Sequence, residues 1–282
     1  MELSTGQALD LIDELAEMGT AAVHLTGGEP LVRKDIDALI QRLRFHAVRV
    51  SLSSNGTLIP RRISALQGCS SVTLSLDGPP DEHDQNRAEG QVDEVLAALQ
   101  SLSDAGIARK LTCLVTSNTT EASLDFVLEQ GQRYQALVYF QPALEHVLAT
   151  EEPNPVVGQA EAVRRIFEAL VVKKAGGAPV GNSERALLHM QSWPRPQPLR
   201  CAINRFAVRV TPEGVLLPCH ERAAVPEGER IFPDGFAAAF QRLRLRSCDE
   251  CWGAGRVQLR EAATSGPLAF WDVLQQSANT NH

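Results

Sequence analysis

The chain has 282 residues, 44% hydrophobic and 22% charged. That is enough apolar material for one large α/β domain with a smaller appendage, and too little charge for a disordered polyelectrolyte. Its 27 basic and 34 acidic residues give a net charge of -7 and a pI near 5.6, which argues against nucleic-acid or anionic-membrane binding, since both need a basic face. No apolar run approaches a membrane span, and Met1-Glu2-Leu3-Ser4 opens no secretory signal, so a cytoplasmic location is expected, where six cysteines suggest metal or redox chemistry rather than disulfides.

Residues 4–18 place Leu9, Ile12, Leu15 and Met18 at helical spacing, with Ser4 or Thr5 as cap and Gly19 as stop. Residues 21–26 form a short apolar strand that Gly27-Gly28 breaks, and residues 34–45 a helix with Ile36, Leu39, Ile40 and Leu43 on one face. Strands are then expected at 48–53, 71–76, 110–116 and 137–141, and helices at 61–66, 92–102, 121–130 and 161–173. Strands alternating with helices imply βαβ units with right-handed crossovers and a parallel sheet of five strands. The chain opens on a helix where such a repeat normally opens on a strand.

After Lys174 the rhythm stops. Linker signals appear at residues 175–179 and at Trp193-Pro194-Arg195-Pro196-Gln197-Pro198, with a short helix at 184–190 between them. Residues 206–210 and 215–217 flank Thr211-Pro212-Glu213-Gly214 as a hairpin, and residues 236–245 form a helix. The expected organisation is a core over 1–178 and a small cysteine-bearing module over 179–282. Arg61-Arg62 and Arg242/Arg244/Arg246 read as solvated faces.

Three strand ends carry polar groups, at the edge where α/β proteins bind ligands. The first is His24-Leu25-Thr26-Gly27-Gly28-Glu29-Pro30-Leu31. Its glycines admit a ligand to the backbone, Glu29 can accept from a ligand ammonium, and Pro30 fixes the chain behind it; a tight turn with a solvated Glu is the plain alternative. The second is Ser51-Leu52-Ser53-Ser54-Asn55-Gly56-Thr57. The third is Thr73-Leu74-Ser75-Leu76-Asp77-Gly78-Pro79, followed by His83-Asp84 and Arg87. Asn55 and Ser75 suit a ribose or a carboxylate. Asp77 can orient a ligand or act as a base, or simply mark a turn. Arg87 can pair with Asp84 on the surface, and Gln141 either faces the pocket or is a buried amide satisfied by backbone.

Seventeen residues separate Cys201 from Cys219, with the Gly214 hairpin between them, and Cys248-Asp249-Glu250-Cys251 follows. Two cysteines flanking a hairpin and two on a short loop can converge on one metal, either an iron–sulfur cluster or a structural zinc. Cys69 and Cys113 lack partners at metal spacing and read as core thiols.

The three strand ends, in this order, resemble the radical S-adenosylmethionine superfamily: the Gly-Gly-Glu motif, the Asn-Gly strand end and the Ser-Leu-Asp-Gly-Pro run with its trailing His-Asp-x-x-Arg. The resemblance implies a (β/α)6 partial barrel, here without its first strand. It implies S-adenosylmethionine bound by Gly27, Gly28, Glu29, Pro30, Ser53, Asn55, Ser75 and Gln141, with Asp77 as a candidate catalytic group. The cysteines resemble the Cys-x12-Gly-x4-Cys opening of SPASM and Twitch modules, the one-cluster Twitch type fitting better. This implies Cys201, Cys219, Cys248 and Cys251 as ligands of an auxiliary 4Fe–4S cluster, a structural zinc remaining the alternative. The superfamily's Cys-x3-Cys-x2-Cys motif, which holds the catalytic 4Fe–4S cluster, does not occur in the sequence. The expectation is therefore an enzyme truncated at its N-terminus, the catalytic cluster belonging to a full-length form, with a catalytically dead relative as the competing reading. The resemblance further implies a peptide or small-molecule substrate and a reductant such as flavodoxin or ferredoxin.

Overall fold

A computed structural model describes residues 2–145, 152–195, 207–219, 228–244 and 251–258. Helix α1 (Thr5–Glu17) is capped by Ser4 in a reciprocal box with Gln7, and Gly19, at φ +80°, turns the chain away after it. Five strands follow: β1 (Ala22–Leu25), β2 (Arg49–Ser54), β3 (Ser71–Ser75), β4 (Arg109–Val115) and β5 (Leu137–Pro142). They pair in chain order, all parallel. Between them run α2 (Ile36–Phe45), α3 (Ile59–Arg62), α4 (Pro80–Asn86), α5 (Gln91–Asp104) and α6 (Glu121–Arg133). Helix α4 is absent from the sequence expectation, in which Asp77-Gly78-Pro79 marks a turn; Pro80 sits in the first turn of the helix, where its missing N–H has no partner to lose.

The sheet has two unlike faces. Val50, Leu52, Val72, Leu74, Leu111, Cys113, Val115, Val138 and Phe140 are nearly or fully buried under the helices. The alternate positions, Ser51, Ser53, Thr73, Ser75, Thr112, Tyr139 and Gln141, are polar and partly exposed. A parallel sheet covered on both sides reads as continuous apolar runs. Alternation in a parallel sheet instead marks an inner face that lines a chamber, as in a curved partial barrel.

The outer edge of β5 is closed by the next part of the chain, after α7 (Ala160–Ala175). Val138 N donates to Pro179 O and Gly181 N to Val138 O, and the fully buried Asn182 amide bonds both Phe140 N (2.7 Å) and Phe140 O (2.9 Å). This stretch does the work of a strand on an otherwise open edge. Helix α8 (Glu184–Met190) then sends Ala186, Leu187 and Met190 into the main core, with Trp193 behind them. Packing therefore does not break at residue 178, where the linker signal placed a boundary; the apolar face of α8 buries itself against the barrel.

The expected hairpin is present as β6 (Arg209–Val210) and β7 (Val215–Leu217), joined by β8 (Glu229–Arg230) into a three-stranded antiparallel sheet. With α9 (Phe236–Arg242) it forms a second core of Leu216, Ile231, Phe236, Ala239 and Leu243 against Leu11 of α1. Glu14 of α1 accepts from Phe236 N and Ala237 N, the first two amides of α9.

Candidate functional site

The loop after β1 carries Gly27-Gly28-Glu29. A Cβ at either glycine would meet nothing within 4 Å, so the backbone there faces open space. Glu29 turns the other way, into the sheet edge: its carboxylate accepts from Leu31 N (3.1 Å), Ser54 Oγ (3.0 Å) and Asn55 N (2.8 Å). Glu29 thus ties the ends of β1 and β2 together. Ser54 Oγ lies 3.0 Å from both carboxylate oxygens, so each oxygen faces two donors, and the negative charge held beside the open glycines suits a ligand ammonium. Pro30 opens a 3-10 turn over Pro30–Val32. Arg62, expected to be solvated, reaches back from α3 to Leu31 O (3.3 Å) and Arg33 O (3.4 Å) and braces this turn.

At the end of β2, Asn55 Oδ1 accepts from Thr57 N in a local turn, which leaves the amide NH2 for a ligand. Gly56 has a backbone reason of its own. Its φ is +95°, and a Cβ there would lie 3.3 Å from Val95 Cα of α5. Ser53 lies on the inner face, where His24 Nδ1 pairs with Ser51 Oγ (2.8 Å) and Nε2 with Ser53 Oγ (2.9 Å). His24 stands exposed at the edge strand β1, with each ring nitrogen paired to a serine hydroxyl of β2. Burial there, and then the positive charge of Lys110, hold its pKa down. Ser75, in register with Thr112 on β4, also lies on the inner face.

Asp77 departs from its expected place. It is 1% exposed, and its carboxylate is spent on Arg87 Nε (2.8 Å), Arg87 Nη2 (3.4 Å) and Leu114 N (2.9 Å). This is a buried clasp between the ends of β3 and β4, not a base facing a chamber. Arg87 pairs with Asp77 and not with Asp84, which instead accepts from Gly90 N. His83 completes the clasp, its Nδ1 accepting from Asp77 N at 3.0 Å. The trailing His-Asp-x-x-Arg run is therefore structural: α4 swings His83 and Arg87 back under the strand end.

Burial depresses the His83 pKa below its ordinary 6.5, outweighing the attraction of Asp77 and Asp84, while Arg87 adds to the depression. A depressed histidine favours the fold in its neutral form, so its contribution is complete above pH 6.5 and is lost as pH falls through the folded-state value. His24, shifted the same way, adds to the same limb. Urea unfolding between pH 5 and 7.5, roughly the window in which histidine titrates, should show stability falling on the acid side, with a shallower slope in His83→Gln; equal slopes would refute this.

Of the four C-terminal cysteines, Cys219 and Cys251 are described, both half-buried; Cys201 and Cys248 lie outside the described residues. Cys219 Sγ accepts from Arg256 Nη1 at 3.0 Å. The Cys251 segment is docked onto the barrel: its carbonyl pairs with His189 Nε2 (2.9 Å), Trp252 packs on the His189 ring, and Ala254 N donates to Gln141 Oε1 (3.3 Å). Gln141, expected at the cofactor, thus ties the cysteine-bearing segment to the end of β5. Both remaining thiols are core groups. Burial pushes Cys69 up to about 12 and raises Cys113 well above the usual thiol range. No helix among the described residues is long and apolar enough to cross a membrane.

The family model described as Radical SAM superfamily matches residues 1–129. Mycofactocin maturase MftC of Mycolicibacterium smegmatis is 30% identical over 259 residues, covering 86% of this chain and 64% of the relative. The chain thus spans less than two thirds of that protein's length. Among solved structures, SuiB of Streptococcus suis bound to S-adenosylmethionine superposes with a TM-score of 0.66 at 12% identity, over 85% of this chain and 58% of that one. The anSMEcpe structure with bound AdoMet and a Cp18Cys peptide gives 0.62 at 16%, over 99% of this chain and 92% of that one. At these identities the likeness is one of fold.

Proposed function

We propose that this chain, whose residues 1–129 match the radical SAM superfamily model, binds S-adenosylmethionine along the C-terminal ends of β1, β2 and β3. The observation that carries this is Glu29: one carboxylate joins two strand ends and stands beside two glycines that face open space. Gly27, Gly28 and Glu29 hold the amino-acid end of the cofactor, Pro30 fixes their turn, and Ser53, Asn55 and Ser75 hold its ribose or carboxylate. Beside a reduced 4Fe–4S cluster, bound S-adenosylmethionine would supply hydrogen-abstraction chemistry to the chamber. The chain's own residues position the cofactor and screen the chamber from water.

Asp77 is assigned a positioning role in place of the catalytic one, because its oxygens are already committed to Arg87 and Leu114 N. Gln141 positions the C-terminal segment. Cys201, Cys219, Cys248 and Cys251 hold an auxiliary 4Fe–4S cluster; the docking of the Cys251 segment at the β5 end supports this by setting it against the chamber mouth. The substrate is a peptide or small molecule. A peptide is in keeping with the fold neighbour SuiB, solved bound to the precursor peptide SuiA. A flavodoxin or ferredoxin is the reductant.

Equilibrium dialysis of the anaerobically purified, iron-replete protein against S-adenosylmethionine tests the reading. Saturable binding of one equivalent, with iron and acid-labile sulfide co-purifying, is expected. No binding under those conditions would end the proposal, and zinc alone in stoichiometric amount would replace the auxiliary cluster by a structural zinc.

A further inference from the structure

The inner face of the sheet holds a charged side chain with no partner. Lys110, the second residue of β4, is 9% exposed, and no hydrogen bond or ion pair reaches its ammonium among the described residues. Its register neighbour on β3 is Thr73, which is itself opposite Ser53 on β2. These three lie one inward-facing layer below Ser75 and Thr112. The groups that act on Lys110 electrostatically do not offset its charge: Arg49 opposes it and, with burial, pulls its pKa down, while Lys110 in turn depresses His24. His24, hydrogen-bonded to Ser51 and Ser53, has its pKa pushed down by burial and then by Lys110, which favours its uncharged form. The stem of Lys110 is buried while its ammonium keeps access to solvent, so an entering anion can reach the ammonium directly and offset the repulsion from Arg49. Thr73 adds a hydroxyl that can turn a proton toward such an anion.

We propose that Lys110, beside Thr73, is a subsite for an anionic group, a carboxylate or a phosphate, of a ligand that enters the inner face of the sheet. It rests on the reading of this face as the substrate chamber, and it makes the substrate an acid. The position is below the cofactor rim formed by Glu29 and Asn55, so the anion anchors the far end of the substrate while its reacting part stays near that rim.

The test uses the full chain, with inorganic phosphate and glutarate as separate probes and sodium chloride at matched ionic strength as control. Wild-type melting temperature should rise with phosphate, glutarate or both beyond the chloride effect; which one acts names the source of the anion. Lys110→Met should melt higher than wild type in plain buffer, since it removes an unpaired charge that Arg49 opposes. Its half-saturating probe concentration should be at least about tenfold higher. Lys110→Arg should keep part of the response. A wild-type protein indifferent to both probes, or a Lys110→Met protein that responds like wild type, overturns the subsite. Dialysis against S-adenosylmethionine separates the two claims: Lys110→Met should bind the cofactor as wild type does. Cofactor binding without an anion response sinks the subsite alone, and an anion response without cofactor binding sinks the functional reading alone.

Discussion

Glu29→Ala is expected to weaken S-adenosylmethionine binding by about 100-fold or more, the largest functional effect of any single substitution in the site. A hundredfold is roughly 2.8 kcal/mol, within reach of one lost charge-assisted hydrogen bond plus the disorder of the two loops it fastens. Leu31 N, Asn55 N and the Ser54 hydroxyl would lose their acceptor together, so the ends of β1 and β2 would separate. Glu29→Gln keeps the shape but offers one acceptor oxygen and an NH2 group that faces other donors, and an intermediate loss is expected. Dialysis of the two variants beside wild type checks this. Wild-type affinity in Glu29→Ala would show that the carboxylate neither meets the ligand nor shapes its site.

Asp77→Ala is expected to cost about 3 kcal/mol of stability, near the lower end for breaking a buried ion pair. The side chain of Asp77 is fully buried, and its loss leaves Leu114 N without an acceptor. Arg87 is 32% exposed and can turn toward water, which keeps the penalty from being larger. Asp77→Asn retains an acceptor for Leu114 N and should lose only about 1–2 kcal/mol. Urea unfolding measures both. A catalytic Asp77 would instead leave the urea midpoint of both variants where it is and abolish turnover, so an unchanged midpoint in Asp77→Ala refutes the clasp.

Much of the architecture was legible because local chemistry and burial agree. Leu9, Ile12 and Leu15 announce α1, Ser4 with Gln7 caps it, and each apolar run in the sheet lies where the helices cover it. The parallel sheet followed from the alternation of strands and helices. The two-faced character of that sheet was also written in Ser51-Leu52-Ser53 and Thr73-Leu74-Ser75, a period of two where a doubly covered sheet has none. The candidate site was legible as residue types at strand ends. The partners of those residues were not: Arg87 choosing Asp77 over Asp84 depends on how far α4 swings back, and Gln141 meeting Ala254 joins residues 113 positions apart.

The sequence by itself determined which residues stand at the ends of the strands, because periodicity, glycines and caps act over a few residues. Only the tertiary structure decided what each of them does there. It buried Asp77 in an ion pair, gave Glu29 three donors from two loops, set Asn182 against β5 and left Lys110 without a counter-charge. The physical reason is range. Secondary structure is chosen by neighbours along the chain, whereas the worth of a polar group depends on solvent access and on partners that arrive from distant parts of it.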